Sequence, residues 1–119
     1  MENIKHIFEP TPLQCGQAVL AMLTNKSVDD IVNACGTEKE TTLKQMISVL
    51  CDNGITVSCQ RAQFFDKSEL PDVALLSLET PKCWHWSLYY NGMFYDPEYG
   101  LIGEIPPSNR RYYWKLYNK

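Results

Sequence analysis

One set of residues in this chain could act together as a thiol nucleophile. Cys15 lies in Thr11-Pro12-Leu13-Gln14-Cys15-Gly16-Gln17-Ala18-Val19-Leu20-Ala21-Met22-Leu23, after a proline-bearing loop and at the mouth of an apolar, helix-forming run. A thiol there sits beside backbone N–H groups that have no partner inside the helix, at the positive end of the helix dipole. Both features favour the nucleophilic thiolate. Far downstream come Trp84-His85-Trp86 and Tyr95-Asp96-Pro97. Cysteine, histidine and aspartate in this order supply a nucleophile, a base that can also serve as an acid, and a carboxylate to fix that base.

The elements that must position these groups are legible. Asn91-Gly92, between the runs 84–90 and 93–96, is the strongest short hairpin signal, a two-residue type I′ turn. With that loop Tyr90 faces Met93, Leu88 faces Tyr95 and Ser87 faces Asp96. Alternation then puts His85, Ser87, Tyr89, Phe94 and Asp96 on one face, with Asp96 a diagonal neighbour of His85. Trp84, Trp86, Leu88, Tyr90, Met93 and Tyr95 form the other face, expected to pack on the helices. A slip of one residue would send Asp96 to the wrong side.

Upstream, helical spacing of Val19, Leu20, Met22 and Leu23 predicts a first helix over residues 13–24. Ser27 caps a short second helix to residue 34, with Gly36 after it. The capping-box spacing at Thr42-Leu43-Lys44-Gln45 opens a third helix to residue 51. Strands are expected over 55–59, 73–78 and 110–117, with Phe64 and Phe65 packing in the irregular stretch between the first two. Helices followed by antiparallel strands indicate an α+β fold in one domain over residues 1–119.

Composition narrows the class. The 119 residues are 45% hydrophobic and 21% charged, with a net charge of −3, as expected of an ordinary globular protein. That charge disfavours nonspecific nucleic-acid binding and anionic membrane surfaces. No run approaches a membrane span, and the polar start is no signal peptide. The five cysteines are odd in number and lack CxxC spacing, which argues against a zinc site and for reduced thiols in a cytoplasmic protein. Cys35, Cys51, Cys59 and Cys83 are expected as small buried residues. His6 is expected to be incidental, Trp84 and Trp86 to be core, and Tyr89 and Phe94 are candidates to line a cleft.

The residues resemble the papain-like cysteine peptidases of the bacteriocin-processing, double-glycine leader peptidase family and its stand-alone relatives. The matching pieces are Cys15-Gly16-Gln17-Ala18 with Leu20-Ala21-Met22-Leu23, then His85-Trp86, then Tyr95-Asp96-Pro97, over about residues 9–100. The resemblance implies a small papain-like fold, with Cys15 as nucleophile on a helix, His85 as general base and acid, and Asp96 orienting His85 from a sheet across a cleft. It implies a peptide or protein substrate, a thioester intermediate, and no metal or organic cofactor. Glu9, Gln14, Gly16 and Trp86 are the candidates for oxyanion and substrate binding. The family's oxyanion glutamine, six residues before the cysteine, is here Glu9, and an ionised carboxylate cannot donate. Three readings stay open: Gln14 serves with the Cys15 N–H, Glu9 is protonated in a buried site, or hydrolysis is weak and the domain binds a protein or peptide partner. Acyl transfer to an amine on the same scaffold is a further alternative.

Overall fold

Both side-chain caps form in the computed structural model, which describes residues 1 and 3–118. Ser27 accepts from the Asp30 N–H and opens α2 (Val28–Cys35), which ends at Gly36 in the left-handed region. Thr42 and Gln45 cap one another reciprocally at the start of α3 (Leu43–Asp52). The first helix, α1 (Cys15–Thr24), starts two residues later than its apolar pattern suggests. Leu13 is exposed, and the backbone turns at Thr11, whose carbonyl accepts from the Gln14 N–H.

Three helices pack on a seven-strand antiparallel sheet, so the fold is α+β. The strands are β1 (Ile55–Val57), β2 (Ala62–Gln63), β3 (Val73–Glu79), β4 (Trp84–Tyr90), β5 (Met93–Asp96), β6 (Gly100–Ile102) and β7 (Arg111–Asn118). Their order is β1-β7-β3-β4-β5-β6, with β2 also on β7. The last strand therefore lies inside the sheet, between β1 and β3. The β4–β5 hairpin takes the register set by Asn91-Gly92, with Tyr90 opposite Met93 and Leu88 opposite Tyr95. Both turn residues have positive φ, as a type I′ turn requires. Strand β6 escaped the sequence reading. It follows a tight turn at Pro97-Glu98-Tyr99, for which Asp-Pro was an available signal.

Both sheet faces are covered, which accounts for the unbroken apolar run in β3. One cluster joins Leu75, Leu88, Trp114 and Leu116 of the sheet to α1 and α3. The other joins Phe64, Ala74, Leu76, Leu78, Tyr89 and Phe94. Tyr89 and Phe94 are thus core and line no cleft, with ring centroids 5.0 Å apart. Phe64 is buried but Phe65 is exposed. Trp84 is exposed too, beside Tyr112 and under the Arg110 guanidinium. Cys59 and Cys83 are exposed and so are not the small core residues expected, whereas Cys35 and Cys51 are half-buried and Cys35 packs against the core. Among the described residues, no helix is long and apolar enough to cross a membrane.

Helix α1 is buried from Cys15 to Leu23. Its first turn meets the α2–α3 loop so closely that a Cβ on Gly16 would lie 1.9 Å from Thr41 Oγ1 and 3.1 Å from both Met46 Sδ and Trp86 Cδ1. The loop is held from the same helix by Gln17, whose Nε2 donates to the carbonyls of Thr37 and Lys39. Gly16→Ala is expected to destabilise the protein by about 1–3 kcal/mol, measured by denaturant unfolding. Adding Thr41→Ala should recover part of the loss, because the closest atom is removed. An unchanged midpoint for Gly16→Ala would show that the loop yields freely.

Candidate active site

Strand β4 outruns β5. It pairs with β3 along its whole length, from Glu79 opposite Trp84 to Val73 opposite Tyr90. It pairs with β5 only over Leu88–Tyr90. Beyond that point β5 ends at Asp96-Pro97, and a proline has no N–H for a ladder. The half of β4 that carries His85 and Trp86 therefore has a free edge, and the start of α1 docks there. The Trp86 backbone N–H donates to Cys15 Sγ at 3.4 Å.

His85 and Asp96 share a face, as the hairpin register requires. The ring Nε2 lies 3.0 Å from Asp96 Oδ1. Asp96 is fully buried and every one of its contacts comes from a donor. Oδ1 also accepts from the backbone N–H groups of Glu98 and Tyr99 at 2.8 and 2.9 Å. Oδ2 accepts from Ser87 Oγ at 2.7 Å. Burial alone would raise the Asp96 pKa, but His85, the Tyr99 N–H and Ser87 outweigh it, so the carboxyl stays ionised below the usual range.

With Nε2–H directed at Asp96, Nδ1 is the nitrogen left for other partners. Burial favours the neutral ring. The hydrogen bonds to Asp96 and Cys15, with the charges of both, oppose it and push the His85 pKa up to about 10. Imidazole, carboxylate and sulfur thus form one connected group. The third titrating neighbour is Glu9, with Oε1 3.9 Å from Nδ1.

Two clefts meet at this group. One, of about 260 Å³, is lined by Cys15, Thr41, Leu43, Trp84, His85 and Trp86, with Glu40 at its border. The other, of about 310 Å³, is lined by Glu9, Thr11, Lys82, Cys83, His85 and Glu98. Cys83 is thus an exposed cleft residue.

The remaining candidates fall as follows. Gln14 is the N-cap residue of α1, but its side chain makes no cap hydrogen bond. Gly16 is a close-packing position. Trp86 combines roles: it borders the first cleft, its Nε1 donates to the Thr41 carbonyl at 3.1 Å, and its ring packs on Trp114. His6 is not incidental, since its Nε2 lies 2.6 Å from the Asp96 carbonyl. Ser87 was placed on the right face by alternation but given no role. Gln17 belongs to the Cys15-Gly16-Gln17-Ala18 motif, which suggests no role for it, and Thr41 and the Trp86 N–H carry no sequence signal, because long-range packing selects them. Among the described residues, no cluster of three or more His, Cys, Asp or Glu side chains could hold a metal ion. Neither protein-family models nor curated proteins match this chain.

A ring whose pKa is raised from 6.5 to about 10 on folding stabilises the fold fully below about pH 6.5. That contribution is lost as pH rises through about 10. His85→Ala should therefore cost most at about pH 6.5, about 3 kcal/mol for breaking a buried pair. The gap to wild type should narrow toward pH 10 when unfolding is followed across pH. A gap independent of pH would exclude the charged ring.

Proposed function

We propose that the protein is a papain-like cysteine peptidase, or a closely related thiol hydrolase, that cleaves a peptide or isopeptide bond. The observation that carries this reading is the convergence of three groups: His85 Nε2 lies 3.0 Å from Asp96 Oδ1, and Cys15, whose sulfur accepts from the N–H of the residue after His85, lines one cleft with that ring. In the reaction, the Cys15 thiol proton passes to His85 Nδ1 as Sγ attacks the substrate carbonyl carbon and the C=O π pair moves onto oxygen. When the tetrahedral adduct collapses, the C–N bond breaks and His85 Nδ1–H gives its proton to the leaving amine. The thioester left on Cys15 is attacked by water, whose proton passes to His85. The C–S bond then breaks, freeing the acid and restoring the thiol–imidazole pair. Acyl transfer replaces that water with an amine and needs no other change.

Three features support these roles. The Trp86 N–H aimed at sulfur stabilises negative charge there. Asp96, held by backbone and Ser87 donors, fixes the ring orientation whether the ring is charged or neutral. The two clefts meeting at His85 give an extended peptide a path on either side of the nucleophile. The reading keeps the thiols reduced, as in the cytoplasm. A second reading, a domain that binds a peptide without cleaving it, is favoured by the Glu9 carboxyl beside Nδ1. Ionised, it would repel an oxyanion.

Iodoacetamide at about pH 6 should alkylate Cys15 faster than the exposed Cys59 and Cys83, because the neighbouring imidazole takes the proton from the attacking sulfur. Peptide mapping locates the adduct. His85→Ala should slow Cys15 alkylation by about a hundredfold, and Cys15→Ala should abolish the fast phase. Fast labelling at Cys83 instead, or a Cys15 rate no greater than that of Cys83, would overturn the assignment in favour of the binding reading.

A further inference from the structure

Glu9 is treated in the opposite way to Asp96. It rides on the segment leading into α1, where its N–H donates to the Pro97 carbonyl at 2.9 Å. Its side chain is only 12% exposed. Its Oε1 is buried and accepts no hydrogen bond from any described residue. A buried carboxylate oxygen without donors is costly, and the usual resolution is a bound proton. Its charged surroundings point the same way. They are Asp96 at the end of β5, Glu98 in the turn that follows, Lys82 in the β3–β4 loop and His85 on β4. The Cys83 thiol lines the same cleft as Glu9, and Cys15 lines the neighbouring cleft that shares His85 with it. Lys82 is paired with Glu98 at 3.2 Å, and His85 is committed to Asp96 and the sulfur. Burial is the main influence on Glu9. The His85 charge opposes it, Glu98 and Asp96 reinforce it, and the pKa is raised.

We propose that Glu9 is a neutral carboxylic acid in the working site and that it donates a hydrogen bond to the oxygen of the tetrahedral adduct on Cys15. This rests on the thiol-hydrolase reading above. The orphan Oε1 lies 3.9 Å from His85 Nδ1, the ring nitrogen that Asp96 leaves unengaged, and Glu9 and Cys15 line two clefts that share His85. During attack the C–S bond forms and the carbonyl π pair goes to oxygen. The Glu9 O–H points its proton at that oxygen and keeps it, so Glu9 is unchanged over the cycle. The donor exists only while Glu9 is protonated. Oxyanion stabilisation is therefore present at low pH and lost as pH rises through the raised Glu9 value.

N-acetyl-leucyl-phenylalaninal, an aldehyde that adds reversibly to thiols, reports the oxyanion site. Iodoacetamide reports the thiolate alone. From about pH 5 to about pH 8, wild-type affinity for the aldehyde, normalised to the Cys15 alkylation rate, should fall about tenfold or more. In Glu9→Gln, whose amide donates at every pH, it should stay level, and in Glu9→Ala it should be low throughout. A second readout needs no ligand. A carboxyl whose pKa is raised above 4.5 on folding lends stability below about pH 4.5 that is lost as pH rises through the folded value. The thermal midpoint of Glu9→Gln should therefore gain on wild type between pH 4 and pH 8. Equal pH dependence in wild type and Glu9→Gln, a Glu9→Gln as weak as Glu9→Ala, or no aldehyde capture by wild type at any pH would overturn the proposal. If Cys15 is still alkylated fast in those cases, only the role of Glu9 falls. If it is not, the thiol-hydrolase reading falls with it.

Discussion

The free half-edge of β4 is the constraint on which the rest depends. A strand buried in the middle of a sheet must have its N–H groups satisfied, yet β5 stops at Asp96-Pro97 and leaves the Trp86 N–H without a strand partner. Helix α1 fills the gap end-on, and a sulfur takes the N–H. The same event that ends β5 turns the chain so that Asp96 Oδ1 caps the Glu98 and Tyr99 N–H groups. Strand termination, placement of the carboxylate and docking of the thiol are therefore one structural solution. His85 has to be on β4 three residues beyond the last β5 pair, Leu88 with Tyr95. One residue nearer or farther along the strand, its ring would face α1 and Asp96 would have no imidazole beside it.

The electrostatics follow from the unequal satisfaction of two carboxyls. Asp96 has donors on both oxygens and tolerates complete burial as an anion. That anion in turn holds a proton on His85. A buried ion pair is a weak source of net stability, because desolvation offsets most of the attraction. The value of this one lies in fixing the ring and its charge. Glu9 has no such donors, and adding its charge to that of Asp96 would put two anions beside one imidazolium. The site has room for that charge only if solvent or a ligand cation supplies what the protein does not. A proton is the smallest answer.

Much of this was readable in the sequence, for identifiable reasons. Asn91-Gly92 fixes the hairpin register, and the register fixes which side chains share a face with His85. Ser27, Thr42 and Gln45 fix helix starts through local hydrogen bonds. Such signals act over a few residues and survive without tertiary context. Signals failed where packing at a distance decides. Nothing local to Arg111–Asn118 says that it inserts between β1 and β3. Nothing local to Trp84 says that it stays at the surface beside Tyr112, and Cys59 and Cys83 followed the general habit of cysteine only in expectation. His6 was passed over because its partner, the Asp96 carbonyl, is a backbone group ninety positions away.

Helix α1 couples the nucleophile to the cleft wall. Cys15 opens it, Gly16 admits Thr41 against its first turn, and Gln17 holds the carbonyls of Thr37 and Lys39. These are consecutive residues, so the position of the sulfur and of the loop carrying Glu40, Thr41 and Thr42 cannot vary independently. Trp86 closes the circuit, giving its backbone N–H to the sulfur and its indole N–H to the Thr41 carbonyl. The opposite wall is built differently, from the segment before α1 and the loops around Lys82 and Glu98. It leads into the helix through Thr11, whose carbonyl accepts from the Gln14 N–H. Side-chain change at Lys82 or Glu98 can therefore alter what enters the site while the backbone N–H groups of Glu98 and Tyr99 go on holding Asp96.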